Sequence, residues 1–356
     1  MQRFASTFAV LLLVCGSLQA QENGDDLRAP LPIRDQFLLS NGFFFFEPER
    51  ARVLGESESV VMISAADSNT FAKSDWINKR AFGETGRMSQ ANELAGSRVR
   101  IGAPIYLVDG ETQRAELSMR HGFGRNFELS LTLPISRTAG GWSDGLIEGV
   151  HNTLSIGNAN RNAFPRNSET VALQNGSTEY IRDRSGSFAL GDIAISGKYE
   201  LSFFEERHIA ISLSGAVELP TGNAATLNGS GSLDGGLQVL ASRDIGRTTI
   251  HAALGMLRLG GNRQLGTKAQ TLVTDTVGIS RLLTDRTSAI AQLTVSESPF
   301  RNIGIAEFTR RTYQLSLGMQ HRIGHSVIAW AALIENVLTY ENSADAGLAC
   351  GIARRF

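Results

Sequence analysis

The sequence has little of what a disulfide-built secreted domain, a nucleic-acid binder or a helical membrane protein needs. Cys15 and Cys350 are its two cysteines in 356 residues. Cys15 lies in a stretch that reads as a leader, so the mature chain is expected to form no intramolecular disulfide. Eight prolines are too few for a proline-rich linker, and 37 glycines without a strict period are not collagen. Lys+Arg total 34 against 35 Asp+Glu, a net charge of −1, so no basic footprint for nucleic acid exists. Past residue 20 no run of eighteen apolar residues occurs, so no spanning helix is expected. There is no Cys-x-x-Cys pair or phosphate-cradling loop. The reading is therefore of a non-enzyme without metal or cofactor.

What is present begins with an address. Residues 1–20, MQRFASTFAVLLLVCGSLQA, place Arg3 before an apolar core from Phe8 to Val14 and end on the small Ala20. That is the pattern of a secretory signal peptide, with a core too short to span a bilayer. Val14 before Cys15 argues against a lipoprotein, whose modified cysteine follows a small residue. A hydrophobic fraction of 42% is too high for disorder. A secreted chain that crosses a membrane without helices must be a closed barrel, whose strands satisfy one another's backbone groups.

Alternation supports this. A spanning strand has about ten residues, apolar toward lipid and small or polar toward the lumen. In 209–219, Ile209, Ile211, Leu213, Val217 and Leu219 alternate with Ala210, Ser212, Ser214, Ala216 and Glu218. The pattern recurs in 127–136, 193–201 and 313–320. In 250–259 it slips, because Leu257 and Leu259 take the inward parity and Arg258 the outward one. An extracellular strand end or a bulge would account for that. Short connections at 121–126, 203–207, 244–247, 283–286 and 323–326 alternate with polar stretches near 138–187, 221–233, 261–269 and 300–309. Short turns belong to the periplasmic side and long loops outside.

The expected fold is all-β: a transmembrane antiparallel up-and-down β-barrel of about twelve strands, with one long extracellular loop containing a short helix. The strands fall near 58–71, 106–121, 127–137, 189–203, 207–220, 234–243, 247–260, 270–283, 286–299, 310–323, 326–340 and 344–356. A further strand at 95–108, turning at Asp109-Gly110, would make the number odd. The divisions are a signal peptide at 1–20, a periplasmic N-terminal segment at 21–57 and the barrel at 58–356. Phe43–Phe46 reads as a periplasmic-side girdle in preference to an apolar plug. Phe356 shares a face with Leu348, Cys350 and Ile352. A terminal aromatic on such a strand resembles the signal read by the barrel-assembly machinery, and Arg354 on that face is placed to snorkel.

Several segments resemble a bacterial outer-membrane barrel family, domain of unknown function 3187. They are PLPIRDQFLLSNG (30–42), YLVDGETQRAELSMRHGFGRNFELSLTLPIS (106–136) and the loop GGWSDGLIEGVHN (140–152). GDIAISGKYEL (191–201) and ELPTGNAATLNGSGSLDGGLQV (218–239) are similar to phenol-pathway outer-membrane transporter-like barrels as well. In the usual family pattern the position of Trp142 is followed by Leu-Asp, whereas here Ser143 precedes Asp144. The resemblance implies an outer-membrane barrel and no reaction.

Candidate site residues fall in two groups. Arg114, Glu116, Arg120, Glu128, Lys198, Glu200, Glu218 and His251 have lumenal parity. A turn at 122–126 would set Arg120 opposite Glu128 and Ser118 opposite Ser130. In the long loop, a helix over Trp142–Asn152 would place Leu146, Ile147 and Val150 on one face and Asp144, Glu148 and His151 on the other. Carboxylates beside a histidine suit metal or acid–base chemistry, but an amphipathic helix capping the mouth is the simpler reading. The 30 arginines against 4 lysines fit contacts to lipopolysaccharide phosphates, to a lumenal ion network, or to genomic composition. Twelve strands spaced about 4.8 Å and tilted about 40° give a backbone diameter near 24 Å and a bore of roughly 10 Å. The expected function is a small-solute pore or transporter in the outer membrane of a Gram-negative bacterium, reached after secretion through the inner membrane. Its expected partners are outer-membrane lipid, lipopolysaccharide, the assembly machinery and a small-molecule solute. The alternatives are an outer-membrane enzyme acting on lipid or peptide and a closed structural barrel.

Overall fold

A computed structural model describes residues 26–74, 104–154, 161, 164–175, 178–182, 185–201 and 209–356. The leader, the 203–207 turn and most of the 95–108 segment lie outside the described residues. In chain order the strands are β1 (Ser59–Lys73), β2 (Ile105–Phe123), β3 (Phe127–Ala139), β4 (Thr170–Asn175), β5 (Thr178–Arg182), β6 (Ala189–Leu190) and β7 (Ile193–Leu201). They continue as β8 (Ile209–Leu219), β9 (Asp234–Ile245), β10 (Thr248–Leu259), β11 (Gln270–Leu282), β12 (Thr287–Ser296), β13 (Thr312–Ile323), β14 (Val327–Asn336) and β15 (Ala346–Arg355). Strands β1–β3 and β7–β15 pair antiparallel with their neighbours, and β15 returns to β1 with Val60 opposite Arg355. The result is a closed twelve-strand barrel with no free edge, which satisfies the backbone without water.

Alternation sets what each face meets. On β8, Ala210, Ser212, Ser214, Ala216 and Glu218 are buried inward while Leu213 and Val217 are about half exposed to the lipid side. On β10, Ile250, Leu254 and Met256 face out and His251, Leu257 and Leu259 face in. The register of β10 with both neighbours runs unbroken from Thr248 to Arg258, so no bulge causes the apparent slip. Leu257 and Leu259 point inward because something apolar is there to meet them.

Three short turns contain glycines in the left-handed region: Gly124 at φ 62°, Gly246 at 57° and Gly324 at 66°. A side chain there would meet no neighbour, so the backbone conformation alone selects glycine. The Gly124 turn is shorter than expected. Strand β2 continues to Phe123, opposite Phe127, so Arg120 faces Ser130, and Glu128 faces Gly122. Arg120 and Glu128 are diagonal neighbours across the ladder. Asp109-Gly110 lies inside β2, so it is not a hairpin turn.

The long loop is folded. Helix α1 (Asp144–Leu154) leads to the hairpin β4–β5, and β4 pairs with the start of β2, Ile105–Asp109. The N-terminal residues hold the largest departure from expectation. Residues 26–58 do not hang in the periplasm. They pass through the barrel, with Leu31, Phe37, Leu38, Phe43, Phe44, Phe45 and Ala51 buried against inward wall residues. Phe43–Phe45 are therefore part of an apolar plug and not a girdle.

Candidate functional site: the lumen and its occupant

The segment enters and leaves at the short-turn end. Its ascending leg begins where Arg28 NH1 donates to Gly246 O at 3.0 Å and His251 Nε2 to Arg28 O at 2.7 Å. Leu31 N then donates to Gln292 Oε1 at 2.8 Å while Gln292 Nε2 donates to Leu31 O at 2.9 Å. Gln314 repeats this, accepting from Gln36 N and donating to Arg34 O, both at 3.0 Å. A 3₁₀ turn at Leu38–Ser40 reverses the chain near the long loops. On the descending leg Ala51 N donates to Ser242 Oγ at 3.1 Å, Val53 N to Glu200 Oε2 at 2.9 Å and Leu54 N to Glu128 Oε2 at 2.9 Å. An extended backbone inside a barrel has no strand partner, so wall side chains must satisfy its polar groups. The inward glutamines, serines and carboxylates of this wall do that.

The reversal is capped by aromatics. Phe37 packs edge-on to Phe300 and Phe308 with centroids 5.9 Å away in each case, and Phe43 meets Phe300 at 5.8 Å. Tyr106 reaches Phe308 at 4.7 Å, while Leu257, Leu259, Leu265 and Leu272 complete the cluster. Each fully buried phenylalanine contributes about 1.5–3 kcal/mol of transfer free energy, and ring pairs add about 0.5–1.5 kcal/mol. The long-loop mouth is therefore closed by an apolar seal.

Charges hold the legs lower down. Arg114 pairs with Glu116 and donates to Asn41 O at 3.2 Å. Lys198 lies 2.7 Å from Glu49 and 3.4 Å from Glu128, and Arg120 lies 3.7 Å from Glu128. Arg50 pairs with Asp244 at 2.8 Å. Thus Arg114, Glu116, Arg120, Glu128, Lys198, Glu200, Glu218 and His251 all face the lumen, and all but Glu218 bond to the segment or pair beside it. Between legs and wall remains a cavity of about 480 Å³, reaching the short-turn rim at Arg125, Asn126 and Ser326. Among the described residues, five buried side-chain atoms on lining residues lack a hydrogen-bond partner: Arg34 Nε, Ser214 Oγ, Glu218 Oε2, Gln320 Oε1 and Trp330 Nε1. Arg34, Arg50, Glu49, Gln292 and Gln314 were not anticipated. Inward glutamines on successive strands were the available signal.

The buried side of the loop helix draws on both expected faces: Asp144, Ile147 and Glu148 are buried, whereas Leu146 is 54% exposed. Asp144 accepts from Asn69 Nδ2 at 3.0 Å, Arg161 NH1 at 2.9 Å and Asn167 N at 2.7 Å, and Glu148 pairs with Arg166. The side chains of Val150 and His151 lie outside the described ones. Glu111 accepts from Trp142 N at 3.0 Å and Ser143 N at 2.6 Å. Gly141, at φ 69°, leaves room for that carboxylate, since a Cβ would lie 1.8 Å from it. Burial pushes the Asp345 carboxyl up to about 6, even with Arg161 beside it. These carboxylates anchor the loop. Among the described residues no group of three or more His, Cys, Asp or Glu could hold a metal ion.

Residues 98–356 match the family described as Protein of unknown function (DUF3187). No curated protein matches the chain. Among solved structures, the COG4313 outer membrane channel from Pseudomonas putida F1 is similar in fold, with TM-score 0.54 and 11% identity over 88% of this chain and 100% of that one. The NanC porin gives TM-score 0.42 and 7% identity over 68% of this chain and 93% of that one. A Pseudomonas aeruginosa FadL homologue gives TM-score 0.35 and 11% identity over 92% and 99% of the two chains.

Proposed function

The chain belongs to the DUF3187 family of outer-membrane barrels, and we propose that it is a small-solute channel held closed by its own residues 26–58. One observation carries this reading: the lumen of a closed barrel is occupied by a segment that is not part of its wall. Side chains alone fill a barrel of about eight strands, and a twelve-strand lumen is wider than that. Here the wall instead offers glutamines and carboxylates to a backbone that enters and leaves at one end. The occupant is continuous with β1 through Glu58 and so stays tethered when displaced. The fold similarity to the outer membrane channel from Pseudomonas putida F1 agrees with this. Short turns at the entry end put that end in the periplasm, so the cavity is a periplasmic vestibule and the aromatic seal faces outward.

Planar-bilayer recording with purified protein tests this. The full chain should conduct in brief events, and a variant lacking residues 26–54 should conduct steadily. Equal conductance from both would remove the segment's role. Silence from both, with either barrel assembled, would leave the closed structural barrel, and lipid or peptide turnover in that silence would make it an enzyme.

A further inference from the structure

On the outer face, at the long-loop end of β10–β13, three arginines form one continuous row. Arg258 NH1 donates to Thr271 Oγ1 at 3.4 Å, and Arg301 donates to the carbonyl of the same Thr271. Arg301 NH1 lies 3.4 Å from Glu297 Oε2, and Arg311 NH2 lies 3.7 Å from Glu297 Oε1. Arg258 is opposite Thr271, and Glu297 N donates to the carbonyl of Val273, the next outward position on β11, at 2.9 Å. Three guanidinium groups against one carboxylate leave the row two charges positive. It is open to solvent, with the Arg301 and Arg311 side chains 36% and 52% exposed.

Directly beneath, the same face is largely apolar, with Asp275 as an outward carboxylate between Leu254 and Val295. Met256 and Leu254 stand below Arg258, Val273 below Thr271, Val295 below Glu297, and Tyr313 then Leu315 below Arg311. Tyr313, one position in from the rim, is where an interfacial aromatic sits in a spanning barrel. On β14, next to β13, outward Glu335 is opposite Leu315 and borders this sector, while β1 presents outward Asp67, which accepts from Trp142 Nε1 at 2.9 Å. A rim row of three guanidinium groups over a largely apolar wall matches an amphiphile with an anionic head and several acyl chains.

We propose that the β10–β13 sector is a specific binding site for a phosphate-bearing glycolipid of the outer leaflet. Arg258, Arg301 and Arg311 hold its phosphate groups, while Met256, Val273, Val295 and Leu315 receive its acyl chains. Arginine suits the task because its planar donor fork grips phosphate oxygens in pairs. Glu297 keeps two of the guanidinium groups facing the same way, so the site is preformed. Phosphatidylglycerol offers one diester charge and two chains, which matches this row less well than two phosphate monoesters on one sugar head. The site lies on the wall opposite to the lumen and does not depend on whether the barrel conducts.

Native mass spectrometry of the purified full chain tests it, with bisphosphorylated lipid A, lipid A stripped of phosphate, and phosphatidylglycerol as probes. Wild type should retain bisphosphorylated lipid A and should bind the other two about tenfold more weakly or worse. The combined Arg258→Gln, Arg301→Gln and Arg311→Gln variant should lose that preference. A control variant at the opposite rim, Arg247→Gln with Arg281→Gln, should keep it. Equal binding of all three lipids by wild type, or an undiminished preference in the triple variant, would overturn the proposal. The dephosphorylated probe needs no variant, so a triple variant that fails to assemble does not remove the test.

Discussion

Single residues differ sharply in what they hold. Glu128 is 3% exposed, accepts from Leu54 N and lies beside both Lys198 and Arg120. Replacing it with Gln leaves Lys198 paired with Glu49 and should cost about 1–3 kcal/mol. Arg120 is 34% exposed, so Arg120→Ala should cost about 0–1 kcal/mol, since Lys198 still balances Glu128. The shift from folded to unfolded mobility on heated gels measures both. Equal losses would show that Glu128 is not an anchor. The inward parity of both residues was legible in the sequence. Their true pairing was not, because a turn two residues tighter moves every opposed pair along the ladder. Glutamines raised no suspicion for a similar reason: an uncharged polar side chain suits a hydrated wall as well as it suits a bound backbone.

Elements that close the mouth should be separable from those that make the barrel. Phe300 and Phe308 lie on the β12–β13 connection and touch the segment's reversal without belonging to the wall. Phe300→Ala removes about 3–5 kcal/mol of packing from the seal. Longer openings in bilayers with unchanged assembly are expected; unchanged gating would show that the seal is elsewhere. The long loop has its own acid dependence. The Asp345 carboxyl is raised to about 6 against an ordinary value near 3.9, so its folded form holds a proton more tightly than its unfolded form. Its stabilising contribution is complete below about pH 4 and is lost as pH rises through about 6. Protease digestion of intact cells should cut the loops faster at neutral pH than near pH 4.5, and Asp345→Asn should flatten that difference. At the chain end, Phe356 N donates to Ser59 O at 2.9 Å and Phe356 O accepts from Ser59 N at 3.2 Å, closing β15 on β1. Deleting Phe356 should lower the amount of assembled barrel, and unchanged heat-modifiable mobility would count against an assembly role. Strands were the most legible elements, since each has to satisfy lipid on one face and lumen on the other. The loop helix was legible as a helix, but the burial of Asp144 and Glu148 beside Ile147 was not, because Arg161 and Arg166, which neutralise them, come from outside the helix and are set by the fold.

At the scale of the whole molecule, the barrel was written in alternation and turn length, and its occupant was not. Residues 26–58 have no period of two or of 3.6, since a segment surrounded by wall is buried on all sides and needs no repeating face. The clue lay in the wall: Leu257, Leu259 and Leu272 point into a lumen that water alone would not furnish with leucines. Orientation is open to a direct check. A tag at Ala225 should be reached from outside intact cells and a tag at Asp285 should not, and the reverse would invert the barrel. The central claim, that the N-terminal segment closes the channel by sitting where it sits, is tested most directly by locking it in place. Cysteines replacing Leu31 and Gln292, in a Cys350→Ser background, would be bridged by a short reducible cross-linker and the protein placed in a planar bilayer. The bridged barrel should be silent and should begin to conduct when the linker is reduced. Conductance that is the same before and after reduction would contradict the account.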